Sequence, residues 1–107
     1  MKLRTSGFSR AKVEGLSMIP TLAPDETVLI RWGSQVCIGQ VVVALRPDRP
    51  ESLIVKRLIR GTDQGWWLEG DNPGASDDSR TFGPVPSQCI VGRVVLRLSR
   101  KGIHRIA

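Results

Sequence analysis

Short runs of branched and aromatic residues, separated by Gly, Pro and Asp, dominate the chain and are typical of β-strands. No window keeps the 3.6-residue apolar period of an amphipathic helix over three turns. Two short helical turns are expected, at 17–22 and at 76–80, the second with Ser76 or Asp77 as its N-cap. The pattern predicts an all-β or mainly-β domain with strands at 26–32, 41–46, 53–60, 66–69 and 90–98.

The length of 107 residues suits one domain, 1–107, with a modest core. The 16 basic and 10 acidic residues give a formal net charge of +6, which is compatible with an anionic partner. Aromatic residues make up only 5%, so stacking platforms for single-stranded nucleic acid are scarce and no nucleic-acid partner is expected. Basic residues concentrate at both ends, and we expect residues 1–10 and 99–107 to form basic, loosely ordered tails.

Hydropathy and cysteine placement bear on the compartment. The N-terminal segment lacks the apolar core of a secretory signal, and the longest apolar stretch, 40–45, is far short of the ~20 residues that cross a bilayer. We therefore expect no transmembrane anchor in this chain and a cytoplasmic location, with peripheral membrane contact left open. Cys37 and Cys89 lie in apolar sequence, which favours buried reduced thiols. A disulfide between them stays open, because its formation depends on the compartment.

Several classes of chemistry lack the residues they need. The only histidine, His104, lies in the basic C-terminal segment, so a histidine-based nucleophile system is not expected. The sequence has no His, Cys and carboxylate cluster at the spacing of a metal site, and no phosphate-binding glycine loop. Asp71, Asp77 and Asp78 lack the ligand spacing of a calcium loop. We therefore expect neither a metal nor an organic cofactor.

A serine with a lysine is the chemistry that remains. Lys56 lies in the apolar run LIVKRLI, where strand alternation puts Ile54 and Leu58 on its face and Arg57 on the other. A free lysine, with a pKa of about 10.4, is neutral in only about one molecule in 2,500 at pH 7. Burial lowers the pKa and makes the amine available as a base. A lysine at a strand edge that reaches water fits the local pattern equally well.

Ser17 is the candidate nucleophile, in the segment VEGLSMIPTL. Gly15 permits close backbone approach, and Pro20 fixes φ and ends regular hydrogen bonding. Together they favour a sharp turn that exposes a hydroxyl and a free N–H. Taken alone, the segment fits an ordinary turn serine or a helix N-cap as well.

Four segments, in the same order along the chain, resemble motifs of the type I signal peptidases and their relatives. Residues 15–22, GLSMIPTL, resemble the G-x-S-M-x-P-T-L box, and Val55-Lys56-Arg57 resembles the box with the lysine of the Ser/Lys dyad. Residues 70–83 resemble the G-D-N-x-x-x-S-x-D-S-R-x-aromatic-G box, and residues 92–94 are similar to the glycine segment that follows it. The strings VKRLIRG, GWWLEGDNPGASDDSRTFGPVP and CIVGRVVLR are most similar to the small proteases that mature nickel-type superoxide dismutases.

This resemblance implies roles for individual residues. Ser17 would be the nucleophile, and its backbone N–H would be one oxyanion donor. Lys56 would be the general base and later the general acid. The second oxyanion donor stays open, because this chain has Gly15 where some relatives have a hydroxyl residue. The supporting residues of the boxes would be Ser76, Asp78, Arg80, Gly15, Met18 and Pro20.

In the last box, the resemblance implies that Ser76 holds the lysine amine through its hydroxyl and that Asp78 and Arg80 form an ion pair. It also implies the fold, a partly open antiparallel β-barrel or coiled sheet like those of signal peptidases and of the C-terminal domains of LexA-type proteins. An extended peptide would bind along an exposed strand edge of such a sheet.

The resemblance implies a serine endopeptidase that removes a short N-terminal propeptide from a precursor protein. The most similar branch points to a nickel-type superoxide dismutase precursor as the protein substrate. Two proteolytic alternatives stay open: signal peptidase I-like processing of exported preproteins, and a LexA-like self-cleaving regulator fragment. A basic binding module without enzymatic activity is the non-proteolytic alternative.

Overall fold

The computed structural model describes residues 6–106, and this part of the chain forms one antiparallel sheet of seven strands. The strands are β1 (Phe8–Lys12), β2 (Thr27–Trp32), β3 (Val41–Arg46), β4 (Arg49–Thr62), β5 (Gly65–Glu69), β6 (Ile90–Ser99) and β7 (Gly102–Arg105). One short helix, α1 (Ser79–Phe82), and two 3₁₀ turns, Pro73–Ala75 and Ser87–Cys89, lie between β5 and β6. The predicted mainly-β single domain is confirmed.

The sheet has the strand order β1-β2-β6-β3-β4-β5, and β7 pairs with β6 outside this path. It does not close into a barrel, so of the expected partly open barrel or coiled sheet it is the open sheet that forms. Among residues 6–106, β1 pairs only with β2, and the first part of β4 pairs only with β3, because its pairing with β5 begins at Arg57. These two strands therefore each present a free edge.

The core lies on both faces of β3. Val41 and Val43 pack in one buried cluster, whereas Val42 and Ala44 pack in a second. A strand that is covered on both sides needs a continuous apolar run, and VVVA supplies it. β2 instead alternates, with Val28, Ile30 and Trp32 buried in the first cluster.

The chain ends differ from the expected loose tails. Residues 8–12 form β1, and residues 102–105 form β7, although both segments are rich in polar residues. Backbone pairing with β2 and β6 orders them, and such pairing does not require apolar side chains on every second position. Residues 1–5 and 107 lie outside the described residues.

The helical turns also differ from expectation. Residues 17–21 form a turn rather than a helix, and α1 begins later than predicted, with Asp78 instead of Ser76 or Asp77 as its N-cap. The Asp78 carboxylate accepts a hydrogen bond from the backbone N–H of Arg80, which satisfies one free donor at the helix start. Across residues 6–106, no helix combines the length and apolar character that crossing a membrane requires.

Candidate active site

The turn that carries Ser17 is anchored by two buried apolar side chains. Met18 and Leu22 are almost completely buried in the first core cluster, and the N–H of Leu22 donates to the carbonyl of Met18 at 2.9 Å. Ser17 itself is half-buried, and the Ile19–Pro20 peptide bond is cis. The anchoring therefore fixes where the turn sits and leaves the Ser17 side chain at the surface of a cavity.

Gly15 serves the turn through its backbone conformation. Its φ is +77°, a value that favours glycine, and an added Cβ would meet no atom within 4 Å. The close backbone approach predicted for Gly15 is therefore wrong, because the space beside it is open. A positive φ is the physical reason for glycine here.

Ser17 and Lys56 line the same cavity, which has a volume of about 710 Å³ and which we call the Ser17–Lys56 cleft. One wall comes from the end of β1 and the residues after it, and the other comes from residues 50–56 of β4. Apolar side chains of the core form much of the remaining surface: Met18, Val28, Ile30, Val43 and Leu45. The cleft thus occupies the region between the two free strand edges.

Lys56 is only 6% exposed, so its amine is largely removed from water. Burial lowers the pKa of Lys56 below its ordinary value of 10.5, while the carboxylates of Asp78 and Asp77 oppose that shift. The positive charges of Arg46 and Arg80 lower the pKa further. The site therefore shifts the titration of Lys56 toward the neutral amine, which is the form that can accept a proton.

Asn72 ties the Ser17 turn to the segment after β5. Its backbone N–H donates to the carbonyl of Ser17 at 2.8 Å, and its side-chain amide donates to the carbonyl of Leu16 at 3.0 Å. The turn composition of residues 70–74 gave no sign of this contact, which bridges 56 positions between Leu16 and Asn72. The asparagine is thus a positioning residue that sequence reasoning missed.

Gly70 lets the same segment approach Ser17 closely. An added Cβ at position 70 would lie 2.6 Å from the carbonyl oxygen of Ser17 and 2.6 Å from Cβ of Ser76. These distances are far below van der Waals contact, so a side chain would force the segment away from the turn. Close backbone approach is therefore a property of Gly70 rather than of Gly15.

A second set of contacts joins the lysine strand to the Ser17 turn. Arg57 donates to Asp71 through Nε at 3.2 Å and through Nη2 at 2.7 Å, and the Thr21 hydroxyl donates to the same carboxylate at 2.5 Å. Burial alone would raise the pKa of Asp71, but the hydrogen bonds from Arg57 and Thr21 bring it below its ordinary value. Arg57, which the alternation placed outward, thus belongs to a half-buried ion pair.

Asp78 organises the last box. Its side chain is fully buried and pairs with Arg80 at 2.6 Å, as expected. The same carboxylate accepts hydrogen bonds from the Ser76 hydroxyl at 2.5 Å and from the N–H of Gly70 at 2.8 Å. Burial would raise the pKa of Asp78, but these hydrogen bonds hold it well below its usual range. The Asp78 carboxylate is close enough to Lys56 to raise the pKa of its amine.

The other sequence candidates lie apart from this chemistry. Within residues 6–106 no group of three or more His, Cys, Asp or Glu side chains could hold a metal ion. Cys37 and Cys89 are free thiols, and Cys37 is exposed rather than buried as predicted, because it lies in the loop between β2 and β3. His104 lies on β7, and its side chain does not line the Ser17–Lys56 cleft.

Comparison with known proteins shows which family this chain resembles. Residues 5–95 match the Peptidase S24-like family. The chain is 36% identical to mitochondrial inner membrane protease subunit 2 of Danio rerio, over 78% of this chain and 60% of that protein. It is 31% identical to mitochondrial ATP-independent inner membrane protease subunit 1a of Arabidopsis thaliana, over 85% of this chain and 70% of that protein.

A third relative, mitochondrial inner membrane protease subunit 1 of Xenopus tropicalis, is 36% identical over 78% of this chain and 65% of that protein. The chain thus spans 60% to 70% of the length of these three curated relatives. The matched segment, 5–95, contains every box described above. The chain therefore belongs to the Peptidase S24-like family, a group of signal peptidase-like proteases.

Proposed function

We propose that this chain is a serine endopeptidase with a Ser/Lys dyad that processes precursor proteins in the manner of signal peptidases. The observation that carries the proposal is the shared cavity: Ser17 and the buried amine of Lys56 line one cleft. Burial favours the neutral amine, which is the form that a general base requires.

The first half of the reaction makes an acyl-enzyme. Neutral Nζ of Lys56 takes the proton of the Ser17 hydroxyl while Oγ attacks the scissile carbonyl carbon. The oxyanion that forms accepts a hydrogen bond from the backbone N–H of Ser17, which donates to no protein acceptor within residues 6–106. The C–N bond then breaks, and the proton on Lys56 passes to the departing amine.

The second half releases the product. Lys56, neutral again, takes a proton from a water molecule whose oxygen attacks the acyl carbon. The ester bond to Ser17 breaks, the new carboxyl terminus leaves, and Oγ recovers a proton. The Ser76 hydroxyl donates a hydrogen bond to Asp78, so its oxygen keeps a lone pair that can accept a hydrogen bond from the lysine amine.

The two free strand edges supply the place for the peptide. An extended substrate inserted between β1 and the first part of β4 makes main-chain hydrogen bonds to an edge strand. Its alternate side chains enter the apolar floor formed by Val28, Ile30 and Val43. This arrangement favours substrates with apolar side chains near the scissile bond.

The relatives guide the choice of precursor. They are named mitochondrial inner membrane protease subunits, which favours signal peptidase-like processing of exported or membrane-linked precursors over a dismutase substrate. The nickel-type superoxide dismutase precursor rests on the sequence resemblance alone and enters as a second substrate to test. The cytoplasmic location stays a prediction.

The test incubates the purified chain with two precursors, one exported preprotein and one nickel-type superoxide dismutase precursor. New N-termini are identified by mass spectrometry. We expect the preprotein to be cut, Ser17→Ala and Lys56→Ala to be inactive, and Lys101→Ala, an exposed lysine outside the cleft, to cut normally.

Each result has a distinct consequence. Normal cleavage by Lys56→Ala would remove Lys56 from the dyad, and unchanged behaviour of Ser17→Ala would favour a binding module. Cleavage of the dismutase precursor alone would restore the narrower substrate, and a cut inside the chain itself would favour the self-cleaving alternative.

A further inference from the structure

Four strands of the sheet carry positive charge without negative charge. β1, β2, β6 and β7 contain six Lys and Arg residues and no Asp or Glu. Two of the six, Arg31 on β2 and Arg93 on β6, are directly opposite each other in the strand register. Two guanidinium groups are thus held side by side in a part of the sheet that offers them no carboxylate.

The Arg31–Arg93 pair has no internal counter-ion. Within residues 6–106, neither side chain forms an ion pair or a hydrogen bond to an acidic residue. Like charges directly opposite on adjacent strands destabilise a sheet. By contrast, three arginines elsewhere in the sheet and in α1 form ion pairs with carboxylates at 2.7 Å or less: Arg46, Arg57 and Arg80.

A concave surface accompanies the pair. Arg31 and Arg93 line a cavity of about 500 Å³, closed on its other side by the loop between β2 and β3, and we call it the Arg31–Arg93 cavity. This volume lies in the range of ligand-binding pockets. No Asp or Glu lines it, and its polar side chains include Ser34, Gln35 and Gln40.

This cavity is separate from the Ser17–Lys56 cleft. Ile30 lines the cleft, whereas its neighbour Arg31 lines the Arg31–Arg93 cavity. Among the described residues, none lines both cavities. A ligand in one leaves the other free.

We propose that the Arg31–Arg93 cavity binds an acidic segment of polypeptide, with the two guanidinium groups receiving its carboxylates. Arginine presents a planar fork of donors that matches a carboxylate in a bidentate way. The Gln40 amide oxygen accepts the Cys37 N–H at 2.8 Å, so Gln40 offers a ligand its amide donors. The Gln35 amide has both donors and an acceptor, which suit a peptide group, whereas a phosphate group needs donors only. The occupant is therefore a short stretch with Asp or Glu side chains.

The test uses the full chain and a fluorescein-labelled octapeptide of alternating Glu and Ser, with binding followed by fluorescence anisotropy. A matched peptide has Gln in place of Glu. We expect saturable binding of the Glu peptide and no binding of the Gln peptide. The Arg31→Gln/Arg93→Gln double variant should bind about tenfold more weakly or worse, because hydrogen bonds to charged groups are lost.

The control removes the same charge from the neighbouring strands β1 and β7. Arg10→Gln/Arg105→Gln changes two exposed arginines that do not line the cavity, and it should bind the Glu peptide like the wild type. Equal weakening in both double variants would show general attraction to a basic protein and would overturn the proposal. Retained binding in Ser17→Ala separates this site from the cleft.

A charge-reversal variant distinguishes loss of the two charges from loss of binding through misfolding. Arg31→Glu/Arg93→Glu should gain affinity for an octapeptide of alternating Lys and Ser and lose it for the Glu peptide. Two probes define the competing occupants: inorganic phosphate, and vesicles that contain an anionic phospholipid. Binding of either one through Arg31 and Arg93, without binding of the Glu peptide, would overturn the proposal.

Discussion

The Ser17–Lys56 cleft and the Arg31–Arg93 cavity share no lining residue, and the charged side chains around them are arranged in opposite ways. Around the cleft, arginines are matched with carboxylates, as in the Arg57–Asp71 and Arg80–Asp78 pairs. In the cavity, two arginines face each other without an acid. Beside the cleft, these arginines are paired with carboxylates, and burial lowers the pKa of the Lys56 amine. Unpaired charge in the cavity leaves binding capacity for an external anion.

Replacement of Lys56 should have the largest effect among the variants that test this difference between the two cavities. Lys56→Met should abolish cleavage, because it removes the proposed general base. It should also stabilise the fold by about 1 kcal/mol, because an apolar side chain suits a buried position better than an amine. A gain of this size raises Tm by about 4–8 °C in a domain of this size. Differential scanning fluorimetry and the precursor cleavage assay measure the two effects.

The stability gain of Lys56→Met should shrink as pH rises. Because burial depresses the pKa of Lys56 in the folded state, the unfolded chain binds more protons between that pKa and 10.5. Wild-type stability therefore rises with pH in this window, while the variant has no amine to titrate. The exposed Lys101→Met serves as a control without either effect, and a loss of stability in Lys56→Met would mean that the amine has a stabilising partner.

Gly70→Ala tests the contact between the 70–83 segment and the Ser17 turn. The new Cβ would lie 2.6 Å from the Ser17 carbonyl oxygen, so the turn must move, and we expect kcat/KM to fall about 100-fold. Gly74→Ala is the matched control, because its Cβ would have only one neighbour, at an ordinary 3.9 Å. Equal rates for the two variants would contradict the positioning role of Gly70.

The strands that the sequence predicts well are those with apolar runs. The predicted ranges 41–46, 66–69 and 90–98 agree closely with β3, β5 and β6. β1 and β7 escaped prediction because pairing with a neighbouring strand orders them, and the residue pattern of FSRAK or GIHR does not encode that neighbour. Tertiary context therefore decides the two ends of this chain.

The site shows the same division between local and distant information. Ser17 and Lys56 could be found from short motifs, and the Asp78–Arg80 pair spans only two positions. The hydrogen bond from Thr21 to Asp71 spans 50 positions, and no local spacing reveals it. Contacts of this kind bring the Lys56 strand and the Ser17 turn together, and they can be identified only from the folded structure.

A smaller effect should follow from the charges that surround the buried amine. The carboxylate of Asp77 raises the pKa of Lys56, so Asp77→Asn should lower that pKa. The neutral base then appears at lower pH, and the rising limb of kcat/KM against pH should move in that direction. Asp63→Asn, in the exposed β4–β5 turn, removes the same charge at a distance and should leave the profile in place. Movement of the Asp77→Asn profile to higher pH would contradict this account.

The smallest effect concerns the unpaired arginines. Arg31→Gln removes one of two like charges on adjacent strands, so at low salt it should raise the free energy of unfolding by about 0.2–1 kcal/mol in a urea titration. Arg10→Gln is the control, because its register partner is the uncharged Leu29. The gain should fade as salt shortens the Debye length to about 10 Å at 0.1 M. Adding the Glu octapeptide should stabilise the wild type more than Arg31→Gln, because stabilisation by a ligand increases with its affinity for the folded protein. If Arg31→Gln stays more stable than the wild type when the peptide is present, the repulsion between the two arginines has no connection with binding.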